Sequence, residues 1–193
     1  MIKERNDKMD YKEKLAAYLK EEINVIKSMD LDSINEVLNV METARITGHR
    51  IFICGNGGSA ATASHFCCDF NKGVSEHQEQ KYNLECLSDN VATMLAVAND
   101  IGYEEVFRFP LKNKMKIGDV LIGISGSGNS KNVIKAMEYA KSIGGTTIAM
   151  VGYSGGKMKD MADYCIHANI NNMQIAEDVH MMLDHLMMYV LGN

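Results

Sequence analysis

The sequence predicts an α/β protein with a doubly wound, five-stranded parallel sheet flanked by helices. Five short apolar runs alternate with helical segments, and two of those runs end in loops rich in Gly, Ser and Asn that lead directly into a helix. Strands that alternate with helices form parallel sheets, because each crossover helix returns the chain to the same edge of the sheet. The chain has 193 residues, enough for one domain with a full core, so residues 1–193 are expected to form a single domain.

The N-terminal part is expected to contain a flexible start and two helices. Residues 1–10 are polar, as is usual for a frayed terminus. Helical periodicity predicts helices at Tyr11–Lys27 and Leu31–Thr47, and Asp30 and Gly48 supply the start and stop signals of the second. From residue 48 to residue 193 we expect the α/β core and a C-terminal helix. The predicted strands are Arg50–Cys54, Asn83–Leu87, Val120–Ile124, Thr146–Val151 and Tyr164–Ala168.

Three further segments carry specific expectations. Asn71–Lys81 is the most polar stretch and is predicted to be a surface loop. Pro110, the only proline, is expected to break a helix that starts near Glu104. Met173–Leu191 is predicted to be a helix that is apolar over most of its circumference, which favours burial against a partner subunit. Packing of this helix within a monomer is the alternative.

The overall charge argues against several classes of partner. The formal net charge is −5, with 46% hydrophobic and 23% charged residues, so neither nucleic acid nor an anionic membrane is an expected partner. The longest apolar runs fall well short of the roughly 18 residues of a membrane span. The polar opening MIKERNDKMDYKEK does not have the pattern of a secretory signal. A cytoplasmic location is therefore expected.

The five cysteines are expected to be reduced. They are odd in number and contain no C-x-x-C pair, which favours small buried thiols in a reducing compartment. Cys67 and Cys68 are conceivable ligands for a soft metal, although neighbours on a helix point about 100° apart. The cysteines are Cys54, Cys67, Cys68, Cys86 and Cys165.

The two Gly/Ser loops indicate an anion site, and a phosphate in particular. They lie in IFICGNGGSAATASHF, from Ile51 to Phe66, and VLIGISGSGNSKNVIKAM, from Val120 to Met137. A helix N-terminus offers unpaired N–H groups and partial positive charge, and Ser125, Ser127 and Ser130 add hydroxyl donors. Neither loop contains the lysine of a nucleotide P-loop, so a sugar phosphate fits better than a triphosphate. The alternative is that these residues only form turns and helix caps.

Titratable residues on two helices are the candidates for catalysis or metal binding. His65 and Asp69 lie four residues apart and share a helix face. A second group consists of Glu177, His180, Asp184 and His185 on the last helix. His180 and Asp184 have an alternative role as a packing pair. A zinc or similar divalent site is predicted from His65, Asp69, Glu177 and His185. Glu177 and His185 are separated by about 12 Å along the helix, so both side chains would have to lean toward the ion.

The two loops and the terminal histidine resemble the sugar isomerase (SIS) domain family, and within it the phosphoheptose isomerases. The resemblance covers nearly the whole chain. Its motifs are CGNGGSAATASHF from Cys54, LSDN from Leu87, AVANDIGYEEVF from Ala96, GDVLIGISGSGNSKNVIKA from Gly118, GGKM from Gly155 and EDVHMMLDH from Glu177.

The resemblance implies a set of functional residues and an assembly. Substrate-binding positions are Asn56, Gly57, Gly58, Ser59, Asn99 and Asp100, with the phosphate at Ser125, Gly126, Ser127 and Ser130. In the family, positions that match His65, Asp69, Glu177 and His185 bind one zinc ion and carry the proton transfers. A homotetramer is implied, with the first and last helices in its bundle and active sites shared between subunits.

The sequence departs from the family pattern at three of these positions. Asp69 stands where the family usually has glutamate, Glu177 where it has glutamine, and Gly126 where it has threonine. A carboxylate has thus moved within the site, and either Glu177 or Asp69 is the candidate base.

The expected activity is aldose–ketose isomerisation of a sugar phosphate. The leading reaction is conversion of sedoheptulose 7-phosphate into D-glycero-D-manno-heptose 7-phosphate through an enediol, with His185 as the proton donor. One alternative is another sugar phosphate. The other is a non-catalytic module that binds a sugar phosphate or a protein such as a replication initiator; such members typically lack the terminal histidine, which is present here as His185.

Overall fold

A computed structural model describes residues 9–192. The expectation for the first ten residues falls mostly outside this range. The described chain forms one five-stranded parallel sheet with strand order β2-β1-β3-β4-β5, as the sequence predicts. The strands are β1 (Ile51–Gly55), β2 (Leu84–Cys86), β3 (Val120–Ser125), β4 (Thr146–Val151) and β5 (Tyr164–His167). The helices are α1 (Lys12–Lys27), α2 (Leu31–Thr47), α3 (Gly58–Cys68), α4 (Val91–Asp100), α5 (Arg108–Lys114), α6 (Lys131–Ser142), α7 (Gly156–Met161) and α8 (Met173–Gly192).

Alternation of apolar side chains along the strands builds a core on each face of the sheet. Ile51 and Ile53 of β1 belong to one buried cluster, which α1, α2, α3 and α8 cover. Phe52 and Cys54 belong to the other, which α4 to α7 cover. Successive residues of a strand point to opposite faces, so continuous apolar strands are required when both faces carry helices.

Local signals at the predicted helix ends operate as expected for α2. The Asp30 carboxylate accepts a hydrogen bond from the Asp32 N–H at 3.0 Å, and Gly48 ends the helix with a φ of 75°. A positive φ is accessible to glycine without the steric cost that a side chain imposes.

Of two predictions about irregular segments, the one for Pro110 was wrong and the one for Asn71–Lys81 was correct only in part. Pro110 does not break a helix; it is the third residue of α5, where the backbone N–H would have no partner within the helix anyway. A short 3₁₀ turn, Tyr103–Glu105, lies between α4 and α5. The segment predicted as a surface loop begins inside a π-helical turn, Asp69–Gly73, and continues as a 3₁₀ turn, Val74–His77. Its last residues, 78–81, lie outside any helix or strand and are mostly exposed, as predicted.

The last helix, α8, buries most of its apolar side chains within the chain. Ile175, Val179, Leu183 and Met187 are fully buried in the core beside the sheet. Exposed apolar side chains remain near the C-terminal end of α8, at Tyr189 and Val190, and on α1, where Leu15, Leu19 and Ile23 are each about half exposed or more.

Candidate active site at the carboxyl ends of β1 and β3

The two Gly/Ser loops meet at the point where the strand order reverses. From β1 the chain passes outward to β2 on one side, whereas β3 lies on the other side and leads to β4. Ligands of doubly wound proteins bind in the crevice at such a point. Asn56, after β1, and Asn132, in α6, exchange two side-chain hydrogen bonds of 3.0 and 2.8 Å. This pair joins the two loops across the crevice.

The first loop is shaped by two consecutive glycines. Gly57 has a φ of 56° and forms the N-cap of α3 without a capping side chain. Gly58, the first residue of α3, faces Glu177 so closely that a Cβ there would lie 2.6 Å from the carboxyl carbon of Glu177. Ser59 is buried, and the Tyr103 hydroxyl donates to Asn56 Oδ1 at 2.8 Å. The glutamate of the last helix therefore stands at the start of the first loop.

The second loop holds its serine hydroxyls around the N-terminus of α6. Ser125 Oγ and Ser130 Oγ lie 2.9 Å apart, and the N–H of Gly128 donates to Ser125 Oγ at 3.2 Å. Ser127 Oγ accepts from the Asn129 N–H at 3.2 Å. Ser130 is the N-cap residue of α6, yet its side chain makes no capping hydrogen bond. Its hydroxyl and the helix N-terminus are thus arranged to receive an anion.

Met173 packs against the backbone of Gly126. A Cβ at Gly126 would collide with the Sδ atom of Met173, the first residue of α8. A methionine therefore fills the space beside the buried backbone of the serine loop.

A second group of polar residues lies where α3 and the π turn pack against α8. His65 Nε2 is 3.2 Å from His185 Nε2 and 3.5 Å from Asp69 Oδ2. With Asp184 these residues offer four ligand atoms that all lie within 4.8 Å of one another. We call His65, Asp69, Asp184 and His185 the His/Asp cluster. The π turn begins at Asp69 itself, and such widened turns recur at functional sites.

Asp184 is the buried member of this cluster. Its residue is 0% exposed, and among the described residues neither carboxylate oxygen has a hydrogen-bond partner. Burial, with a smaller contribution from the neighbouring Asp69 carboxylate, raises the pKa of Asp184 to about 7. A carboxylate in this position lacks the compensating charge that burial normally requires.

The family model of the SIS domain matches residues 10–152. The chain belongs to the SIS domain family.

Several relatives of this SIS domain protein are phosphoheptose isomerases. A phosphoheptose isomerase from Helicobacter pylori strain P12 is 38% identical over 162 residues, which cover 81% of this chain and 83% of the relative. A probable phosphoheptose isomerase from Thermoplasma acidophilum is 34% identical over 169 residues, covering 88% and 92%. The structure of a phosphoheptose isomerase from Neisseria gonorrhoeae superposes with a TM-score of 0.86 at 28% identity, covering 94% of this chain and 98% of that one.

The structure brings together three of the four predicted metal ligands of the SIS domain. His65, Asp69 and His185 lie in the His/Asp cluster, whereas Glu177 lies at Gly58 and is not a member. Asp184 is the fourth member of the His/Asp cluster. The sequence alone did not decide whether this residue belongs to the site or to the packing of α8. Its signal was an acidic residue next to His185 in a helix whose surrounding positions are apolar.

The predicted substrate residues of the SIS domain fall into two groups. Asn56, Gly57, Gly58 and Ser59 lie at the crevice with the serine loop. Asn99 and Asp100, at the end of α4, are exposed, and the Asn99 amide donates to the Asp100 carboxylate at 2.7 Å. Tyr103, three residues beyond Asp100, connects this region to Asn56 through its hydroxyl.

The donor set of the His/Asp cluster fits a divalent metal. Imidazole and carboxylate groups are ligands of zinc and similar ions. The unpartnered oxygens of Asp184 are the feature that a bound cation would satisfy. Cys67, which is buried, and Cys68, which is exposed, are not members of the cluster.

Proposed function

We propose that this chain is a phosphoheptose isomerase, an aldose–ketose isomerase that converts sedoheptulose 7-phosphate into D-glycero-D-manno-heptose 7-phosphate. The observation that carries the proposal is the crevice between the two loops, where the serine loop lies on one side and the Glu177 carboxylate of α8 lies against the first loop on the other. The chain is also 34–40% identical to phosphoheptose isomerases. A phosphate site and a nearby base are the two parts that isomerisation of a sugar phosphate requires.

The serine loop is proposed to bind the phosphate. Ser125, Ser127 and Ser130 carry hydroxyls around the N-terminus of α6, and the backbone at Gly126 allows close approach. Anchoring the phosphate here fixes the distance from C7 to the reacting carbons, because the sugar chain then extends across the crevice toward Asn56, Gly57, Gly58 and Ser59. Asn99 and Asp100 are proposed as further substrate contacts, supplied across a subunit interface.

Glu177 is proposed as the base, with Asp69 as the alternative. Glu177 stands at Gly58, inside the crevice, whereas Asp69 is within 3.5 Å of His65 in the His/Asp cluster. The base removes a proton from the carbon next to the carbonyl. The proton donor to the carbonyl oxygen is proposed to be His185 of the partner subunit, because Glu177 and His185 of one chain are separated by about 12 Å along α8. The resulting enediol is reprotonated on the neighbouring carbon while its other hydroxyl loses a proton, so the net reaction moves two hydrogens and no oxidant is needed.

A zinc ion, one per site, is proposed at the position the family implies. His65, Asp69 and His185 would hold it, with the fourth ligand drawn from α8. When bound, a divalent metal polarises a carbonyl oxygen and stabilises negative charge on it.

A homotetramer with sites at subunit interfaces is proposed as the working assembly. The apolar face of α1 supports it, because Leu15, Leu19 and Ile23 are exposed on one side of a helix. A cytoplasmic location is also proposed, supported by five cysteines that are all free thiols. Among the described helices, none has both the length and the hydropathy needed to cross a membrane.

The test is an NMR time course with sedoheptulose 7-phosphate in D₂O, with and without added Zn²⁺. We expect formation of the aldose and uptake of deuterium, and loss of both in His185→Ala. No turnover and no deuterium uptake under any metal condition would overturn the heptose assignment. The same assay with other sugar phosphates would then separate an isomerase of different specificity from a non-catalytic binding module.

A further inference from the structure

We infer that Asp184 is the fourth ligand of the metal at the His/Asp cluster, in place of Glu177. The inference rests on the proposed function only in assuming that this site takes a divalent metal. It assigns to α8 two adjacent ligands, Asp184 and His185, and leaves the Glu177 carboxylate free to act on substrate.

The separations within the cluster suit one ion. Zinc binds nitrogen and oxygen ligands at about 2.0–2.2 Å, so neighbouring ligand atoms of a tetrahedral site lie roughly 3.3 Å apart. The two Nε2 atoms of His65 and His185 are 3.2 Å apart, and Asp69 Oδ2 is 3.5 Å from His65 Nε2. The ligand atom of Asp184 lies within 4.8 Å of all three.

The burial of Asp184 supplies an independent argument. The residue is 0% exposed, and among the described residues both of its carboxylate oxygens lack a hydrogen-bond partner. Burying a carboxylate without a partner is unfavourable, and the near neighbour Asp69 carries the same charge. A divalent cation between Asp69 and Asp184 removes both problems at once, because it pairs the two carboxylates and replaces their lost hydration.

The position of Glu177 argues against its membership. Glu177 precedes Asp184 by seven residues, or about 10 Å along α8. Its carboxylate lies against Gly58 at the first loop, and its oxygen atoms are not within the ligand group. The α8 helix therefore carries two carboxylates with different roles: Glu177 faces the substrate crevice, and Asp184, two turns later, faces the metal.

Metal binding to the purified full chain tests this assignment without measuring turnover. The chain is stripped with a chelator and titrated with Zn²⁺, and with Co²⁺ to record its d–d absorption. We expect Asp184→Asn and Asp184→Leu to weaken Zn²⁺ binding on the order of a hundredfold and to alter the Co²⁺ spectrum. The matched control, Glu177→Ala, removes the other carboxylate under comparison on α8 together with every donor atom of that side chain, and is expected to keep wild-type affinity and spectrum.

Thermal unfolding gives a second readout that separates ligation from a folding defect. Without metal, Asp184→Leu is expected to be at least as stable as wild type, because it removes an unpaired buried carboxylate. Added Zn²⁺ is expected to raise the Tm of wild type and Glu177→Ala but not that of the Asp184 variants. Wild-type affinity in Asp184→Leu, loss of metal in Glu177→Ala, or no binding of Zn²⁺ or Co²⁺ by wild type would each overturn the inference. The isomerase proposal is judged separately by the NMR assay.

Discussion

His180 is a buried imidazole whose environment keeps it neutral. The residue is 1% exposed, and neither ring nitrogen has a hydrogen-bond partner of good geometry among the described residues. Burial lowers the pKa of His180 from 6.5 to about 4, with a smaller opposing effect of the Val151 carbonyl and a further lowering by His167. Asp184, one turn later on α8, is the other buried titratable group of this helix. At neutral pH, His180 therefore contributes to packing and carries no charge.

A pH series tests this description of His180. The unfolded chain binds a proton near pH 6.5 and the folded chain only near pH 4, so stability is fully present above 6.5 and is lost as the pH falls toward 4. Between pH 7.5 and pH 5, wild type is expected to lose about 2 kcal/mol relative to His180→Leu. Urea unfolding in the presence of a chelator measures the difference without interference from metal. Parallel pH profiles of the two proteins would contradict the expectation.

At the start of α3, Gly58 determines whether the Glu177 carboxylate of α8 can reach the first loop. Gly58 permits the Glu177 carboxylate to reach the first loop, because any Cβ at this position would occupy the same space. The obstructing atoms are the end of a flexible side chain, so a substitution would displace Glu177 and leave the backbone in place. The glycine is thus required by contact with α8, since its own φ lies outside the positive range.

Gly58→Ala is expected to lower kcat by tenfold or more without lowering Tm. Alanine has a better helix propensity than glycine, by up to about 1 kcal/mol in a helix interior, which offsets the cost of moving the glutamate. Steady-state kinetics, unfolding and metal content are measured together. In a Glu177→Gln background the same substitution should cost little further activity, because the displaced group no longer acts as a base. An unchanged kcat would show that Glu177 does not need this space. A Tm several degrees lower would contradict the expectation that the glutamate side chain moves aside without cost to the fold.

At the scale of elements, regular structure was predictable and irregular structure was not. The five strands and the sheet type followed from apolar runs and their alternation with helices, because burial on both faces leaves a strong pattern. Pro110 was misjudged because a proline near a helix start and one inside a helix look alike without knowing where the helix begins. The turns at Asp69–Gly73 and Val74–His77 were missed because their helical form depends on packing against α8.

At the scale of the whole molecule, the candidate site draws on parts that are distant in sequence. The loops, His65 and His185 were identified from motifs, yet the separation of Glu177 from Asp184 became visible only with α8 packed against α3. Periodicity alone places both residues on one side of α8, since seven residues are nearly two full turns. Which of the two reaches the crevice and which reaches the His/Asp cluster depends on the neighbours that α8 meets along its length.

The exposed apolar face of α1 bears on the assembly of the whole molecule. The α1 helix buries Val25 and places Tyr18 in a hydrogen bond with Asp178 of α8. The same helix leaves an apolar face of Leu15, Leu19, Ile23 and Ile26 exposed. Residues at this spacing share one side of a helix, and a continuous apolar stripe in water is typical of an interface.

Leu19→Glu is expected to break the proposed tetramer, because it puts a charge into the middle of that stripe. Wild type should have a mass four times the 21.4 kDa of one chain in light scattering after size-exclusion chromatography, and the variant should have a smaller one. The control is Asn24→Glu, which adds the same charge at an exposed position away from the stripe and should leave the mass unchanged. Isomerase activity should fall with the mass, since the sites are proposed to lie between subunits. A Leu19→Glu protein that keeps the wild-type mass would exclude this face of α1 from the interface, and a monomeric wild type with full activity would remove the requirement for shared sites.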